Sequence, residues 1–215
     1  MLSFTFDDAP QSAVLAGARI LQAHGLRGTY YVAAGLAGRK GPVGRYASAE
    51  EMLAAEAAGH ELACHTFSHL DCGQASGARI SADVDQNVAA LNAWGARPAT
   101  NFAYPYGDVC LAAKRALGGR FDLLRALHPG LIETGCDLNQ APAVGIEGED
   151  GRAFAERWLE RAARRKAWLI LYTHDVDGRP SPWGSTPATL EALILAARRL
   201  EFDIVTVAEG AARLR

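Results

Sequence analysis

Leu2-Ser3-Phe4-Thr5-Phe6-Asp7-Asp8-Ala9-Pro10 runs from a short apolar stretch into two adjacent carboxylates and then into a turn. The apolar part reads as a buried strand, and its place in a sheet decides how the aspartates are understood. In an α/β protein, the loops leaving the C-terminal edge of the sheet converge on one mouth, where chemistry is placed. Successive side chains of an extended chain point to opposite sides. Either a bend after Phe6 brings Asp7 and Asp8 to one site, or the two serve different ends. A divalent cation would offset their repulsion. The alternative is a solvated Asp-Asp-Ala-Pro turn, since Asp and Pro are ordinary turn residues.

Outward from this stretch, strand and helix signals alternate. Val14, Ala18 and Leu21 fall at i, i+4 and i+7 on an amphipathic helix that Gly25 ends. Residues 28–32 are β-branched and aromatic, as in a strand. Residues 38–44 form a Gly-rich basic loop. Ser48 and Glu51 make a capping-box pattern ahead of an Ala-rich helix that stops at Gly59, and a strand follows over 61–64. Ser81 as N-cap and Gly95 as stop bracket a helix carrying Val84, Val88 and Leu91, with a strand over 100–103 beyond it. Further strands are expected over 121–127 and 142–146, and a charged helix over 152–165 whose arginines form a solvated face. Trp168 to Tyr172 is a continuous apolar run of the kind parallel sheets bury on both faces, within a strand over 167–173. Thr186-Pro187 opens a helix to Arg199, and 203–207 is the last strand before a short closing helix. Some seven repeats of this alternation predict an α/β fold with a parallel sheet, open or closed into a barrel, in a single domain over 1–215.

Composition narrows the class. With 49% hydrophobic and 21% charged residues and a net charge of -2, the chain has ordinary globular composition and no basic field that calls for nucleic acid. No apolar run is long enough to span a membrane, and the first strand follows Met1 too closely for a signal peptide, so the expected location is cytoplasmic. Cys64, Cys72, Cys110 and Cys136 show neither a Cys-x-x-Cys pair nor the density of a disulfide scaffold, so free thiols are expected. Cys64 beside His65 reads as a small buried strand residue rather than a thiolate ligand.

The unusual polar groups cluster just after predicted strands. Asp7 and Asp8 follow the first, His65-Thr66-Phe67-Ser68-His69 the third, and Tyr104-Pro105-Tyr106-Gly107-Asp108 the fourth, while Tyr172-Thr173-His174-Asp175 ends the long apolar strand. A parallel fold puts all these ends on one face. On a helical turn, His65 and His69, four apart, would face the same way and share a cation; the other reading is a helix cap plus a surface histidine. Two imidazoles and the Asp8 carboxylate make a common divalent set with positions left for water and substrate. The zincin signature is absent, because no Glu follows the first His. His24, His60 and His128 lie near helix ends or turns and need no function.

Thr5-Phe6-Asp7-Asp8, His65-Thr66-Phe67-Ser68-His69, Phe102-Ala103-Tyr104-Pro105-Tyr106-Gly107 and Leu171-Tyr172-Thr173-His174 resemble, in order and spacing, the motifs of the polysaccharide deacetylases, the carbohydrate esterase group related to chitin and peptidoglycan deacetylases. Gly28-Thr29-Tyr30-Tyr31-Val32 and Gly59-His60-Glu61-Leu62 also resemble family segments, so the likeness covers nearly the whole chain. It implies a distorted, incomplete parallel (β/α) barrel of about seven strands, with one divalent metal on Asp8, His65 and His69. It further implies Asp7 as general base, His174 as general acid, and the Tyr106 backbone amide as part of an oxyanion hole. Leu171 would line the pocket for an acetyl methyl, with Tyr104 and Trp183 also toward substrate. Trp183, in Ser181-Pro182-Trp183-Gly184, reads equally as a sugar-stacking platform or a loop anchor.

Two positions depart from the family pattern. Ala103 stands where the third motif often has an arginine that holds the catalytic aspartate, and the aspartate near a tryptophan that orients the acid histidine is not recognisable, Asp137 being a candidate without the Trp. The implied reaction is metal-dependent removal of an N-acetyl group from an amino sugar. Zinc is the expected metal, with cobalt, nickel or manganese as alternatives. Hydrolysis of an acetate ester or cyclic amide by the same apparatus, or a non-catalytic carbohydrate-binding role, are the alternatives for function.

Overall fold

The computed structural model describes residues 1–214. Seven parallel strands form one sheet in the order β7-β6-β5-β2-β1-β9-β8: β1 (Leu2–Asp7), β2 (Thr29–Val32), β5 (Glu61–Cys64), β6 (Asn101–Ala103), β7 (Leu123–Arg125), β8 (Val144–Gly145) and β9 (Leu169–Thr173). β3 (Lys40–Gly41) and β4 (Gly44–Arg45) are a separate antiparallel hairpin. No ladder joins β7 to β8, so the sheet curls into a barrel that does not close.

The period of two in β1 sorts its side chains. Leu2, Phe4 and Phe6 enter the main core, where Phe6 stacks on Tyr30 at 4.8 Å. They pack there with Leu21 of α1 (Ala18–Ala23) and Leu190, Leu193 and Ile194 of α6 (Pro187–Arg199). Ser3, Thr5 and Asp7 are buried on the other face, inside the barrel. That interior also holds Tyr31, Ala63 and Ala103, which form a small cluster of their own. Below them, Leu123, Ile132, Trp168, Ile170, Val207 and Ala211 plug the base of the barrel.

The helices follow their sequence signals with some shifts. Ser48 and Glu51 form both bonds of a capping box at α2 (Ala49–Ala57). The long helix α3 (Gly77–Trp94) ends at left-handed Gly95 but begins at Ser76, whose side chain accepts from Arg79 N–H, and not at Ser81. α4 (Leu111–Leu117) was not read from the sequence, and α5 (Gly151–Arg165) matches the charged helix. The expected strand over 203–207 shrinks to a single bridge, Leu2 to Ile204. Thr206 and Glu209 form a capping box that starts α7 (Val207–Ala212) instead, because two satisfied helix donors outweigh a short edge pairing. The segment read as a basic loop contains the β3–β4 hairpin, turned at Gly44 with φ 93°. Among the described residues no helix is long and apolar enough to cross a membrane.

Candidate active site

The loops after β1, β5, β6 and β9 meet at one cavity of about 530 Å³. Its lining includes Asp7, Asp8, His65, His69, Tyr106, Glu147, His174 and Trp183. Among the described residues seven non-glycine residues have left-handed φ, and five of them, Asp8, Ala9, Thr66, His69 and Tyr106, lie in these loops. Backbone held in this region is costly and concentrates where geometry serves a site. The bend at Asp8, φ 63°, turns its carboxylate to the side Asp7 already faces, so both reach one site. The helical turn expected for His65 and His69 is absent. Thr66 and His69 at φ 59° and 56° fold the segment into a loop whose rings meet edge to face, with centroids 5.1 Å apart.

Asp8 Oδ1 lies 3.6 Å from His65 Nε2 and 3.2 Å from His69 Nε2. Donors about 2.0–2.1 Å from a tetrahedral ion stand roughly 3.3 Å apart, so the spacing fits a cation between them. Asp8 Oδ1 is buried with no hydrogen-bond partner, which leaves its lone pairs for such an ion. His65 Nδ1 donates to the Ala103 carbonyl at 2.8 Å, which turns the Nε2 lone pair to the same point. Burial, with His69 beside it, pushes His65 down to about 3, so it remains the neutral imidazole a ligand must be. Burial raises Asp8, against the pull of His69 and His174. A cation there offsets that burial.

Asp7 is held by Arg125, a residue the sequence reading did not assign. Arg125 Nη2 donates to Asp7 Oδ1 at 2.6 Å, and the guanidinium is fully buried between the rings of Tyr31 and Tyr172, 4.9 and 5.4 Å from their centroids. Burial alone would raise Asp7, but Arg125, with His65 and His174, holds it below the usual carboxylate range. Ala103 and Arg125 are register partners on β6 and β7. The arginine stands one strand over from the position where the family motif often carries it, and Ala63 and Ala103 leave it room to cross the barrel to β1.

His174 is oriented by Glu147, not by Asp137. Its Nδ1 donates to Glu147 Oε1 at 3.0 Å and lies 3.2 Å from the Trp183 carbonyl. Burial would lower His174, but the Glu147 bond and the charges of Asp7 and Asp8 raise it to about 9, so it carries its proton at neutral pH. Asp137 instead pairs with Lys114 and accepts from Asn139 N–H, outside the cavity lining.

The remaining site residues divide. Tyr106, 63% exposed at left-handed φ 60°, lies edge-on to His69 with centroids 4.6 Å apart. Trp183 lines the mouth, and its carbonyl accepts from the His174 backbone N–H at 3.0 Å, so one residue both borders the cavity and anchors the segment that carries His174. Leu171 and Tyr104 are not on the wall. Leu171 is fully buried in the sheet–helix core, because on β9 it is Tyr172 that points inward. Tyr104 is buried against Phe102, and its hydroxyl donates to the Asn139 carbonyl at 3.0 Å. All four cysteines are free, Cys64 and Cys72 fully buried.

A carboxylate and two imidazoles converge at the strand ends of an unclosed α/β half-barrel as a candidate site for one divalent metal. Residues 1–118 match the polysaccharide deacetylase family, and the chain belongs to it. Solved structures similar in fold include a chitin deacetylase from Colletotrichum lindemuthianum, at TM-score 0.70 and 16% identity over 97% of this chain and 85% of that one. A family 4 acetyl xylan esterase from Clostridium thermocellum, solved with cobalt, gives TM-score 0.67 and 18% identity over 97% of this chain and 88% of that one. A family pseudoenzyme from Bacillus anthracis gives TM-score 0.61 and 15% identity over 97% of this chain, which spans only 64% of that protein. Among curated proteins none matches.

Proposed function

We propose that the protein is a hydrolase that uses one divalent cation, best matched by zinc, to remove an N-acetyl group from an amino sugar. The observation that carries this reading is that Asp7, paired to Arg125, and His174, paired to Glu147, line one cavity with the Asp8, His65 and His69 cradle. A cation bound there supplies Lewis-acid activation of the acyl carbonyl and of water. Asp7, ionised and oriented, takes the proton of the attacking water. The Tyr106 N–H donates to the developing oxyanion. His174 then protonates the departing nitrogen. An amine is a poor leaving group unless protonated, so a histidine held by Glu147 at the cavity suits an amide, whereas an acetate ester has less need of such a proton donor. Presence of both proton-transfer groups likewise favours an enzyme over a non-catalytic relative.

Elemental analysis of the purified protein, followed by an acetate-release screen with zinc, cobalt, nickel and manganese, tests the reading. N-acetylglucosamine oligomers, acetylated peptidoglycan fragments and small acetylated sugars form the panel, with acetyl xylan and an aryl acetate for the ester alternative. Release from the amides is expected. Asp7→Asn and His174→Ala are each expected to abolish turnover while metal content stays intact. Silence across the amide panel with metal bound would sink the proposal.

A further inference from the structure

We infer that Tyr46 binds the substrate, its phenol hydrogen-bonding a hydroxyl of the sugar that carries the acetamido group. Tyr46 follows the β3–β4 hairpin, and its backbone is tied to the loop that carries Asp8. Tyr46 N–H donates to the Arg39 carbonyl at 2.9 Å, Ala47 N–H to the Ala9 carbonyl at 3.0 Å, and Tyr46 bridges Pro10. The ring is 5% exposed and lies across Gly41, where a Cβ would come within 2.3 Å of the phenol oxygen. Gly41 is thus required for the ring to occupy this place. So held, Tyr46 lines the cavity beside Pro42 and Val43, close enough to Asp8 and Tyr106 to be influenced by both.

The hydroxyl makes no hydrogen bond among the described residues and is not one of their fully buried unpartnered atoms, so it keeps access to solvent on a residue that lines the cavity. A phenylalanine would pack against Gly41 as well, so packing alone does not call for the polar atom. A pinned phenol that serves no neighbour is therefore a group kept for a ligand. A phenol, with an ordinary pKa of about 10, is an O–H donor at neutral pH. On the proposed function Asp8, His65 and His69 serve a cation and Asp7 and His174 protons, while Ser68 is bonded to Asp83 and Glu147 to His174. Of the hydroxyls on the wall, Tyr46 is the one set beside Pro42 and Val43, which with Trp183 are the apolar surfaces against which a pyranose ring packs.

This inference rests on the sugar deacetylase reading, and the test separates the two. Tyr46→Phe and Gly41→Ala, the second displacing the ring, are compared with the unaltered protein on an N-acetylglucosamine oligomer and on an aryl acetate that lacks sugar hydroxyls. The expected result is that the ratio of kcat/KM for sugar over aryl acetate falls about tenfold in both variants, mainly through KM. Calorimetric titration of the same oligomer into the Asp7→Asn and Asp7→Asn/Tyr46→Phe proteins should show a matching tenfold loss of affinity, which needs no turnover. An unchanged ratio, a fall of equal size on both substrates through kcat, or equal or absent oligomer binding in the two Asp7→Asn proteins overturns the assignment of Tyr46. Absence of acetate release from every amide, with oligomer binding still dependent on Tyr46, overturns only the deacetylase reading.

Discussion

Arg125 holds Asp7 low and Glu147 holds His174 high, so on the proposed mechanism the two would act on the reaction through those groups with opposite sign. His174 rises to about 9 because the Glu147 bond and nearby carboxylates outweigh burial, against about 6.5 in an unfolded chain. Its folded value is the higher, so the stability it contributes is full below about 6.5 and is lost as pH rises through about 9. Activity should follow the same limb, since the acid form is the one that protonates the leaving nitrogen. A cation on Asp8 offsets that carboxylate, so the limb of the metal-loaded enzyme is expected at or below 9. Glu147→Gln removes the anionic partner and should bring the alkaline limb of kcat down by roughly one to two pH units. The pH–rate profiles of the two proteins check this, and coincident limbs would show that Glu147 does not tune the acid. Both positioning residues left a signal in the sequence. Glu147 directly follows the strand expected over 142–146, as the other site residues follow theirs, and Arg125 is the lone cation in Leu123-Leu124-Arg125-Ala126-Leu127. What the residues could not convey is that a charge inside an apolar strand points across a barrel to a partner 118 positions away.

Strand register explains why Ala103 is no defect. β6 and β7 pair Ala103 with Arg125, and both face the barrel interior, so one arginine at either position has access to Asp7. Arg125→Ala strands a buried carboxylate, at a cost of about 3–5 kcal/mol, and should lower kcat/KM at least a hundredfold on the scale of lost acid–base function. The double variant Ala103→Arg/Arg125→Ala is expected to regain part of both losses, read by thermal melting and by acetate release. A double variant no better than the single one would refute the exchange between strands. A second element sets the mouth. Buried Asp175 accepts from the Ser181 N–H and hydroxyl, and a Cβ on Gly184 would come within 2.4 Å of its carboxylate. Gly184→Ala should therefore displace Trp183 and loosen His174, raising KM and lowering kcat together, with metal content unchanged by elemental analysis. Strand ends were legible because apolar runs stop abruptly at polar residues. The His65–His69 spacing rightly suggested a shared cation site but not the backbone that builds it, since i, i+4 also suits a loop bent by two left-handed residues and periodicity does not record φ.

At the scale of the molecule, chemistry and stability occupy opposite ends of the barrel. The alternation of strands and helices foretold the parallel sheet, and parallel strands gather their C-terminal ends by construction. The missing β7–β8 ladder had no local sign, because an unpaired edge depends on curvature summed over all the strands. The chain from 126 to 143 spans that gap, with Ala141 bridging Arg125 and Ile132 bridging Trp168. Trp168 fills the base beneath it: its Nε1 donates to Ser3 Oγ at 3.0 Å, and α7 packs so closely that a Cβ on Gly210 would lie 2.4 Å from the indole. Trp168→Ala removes this plug and should cost about 3–5 kcal/mol, a fall in melting temperature of roughly 6 to 20 °C for a chain of this size. The site loops take none of their hydrogen bonds from the indole, so metal stoichiometry and kcat measured well below the melting point are expected to survive. Arg125→Ala, in contrast, should depress melting and turnover together. If Trp168→Ala loses metal or turnover while still folded, the base and the mouth are coupled, and the division of the barrel into a stabilising end and a reactive end is wrong.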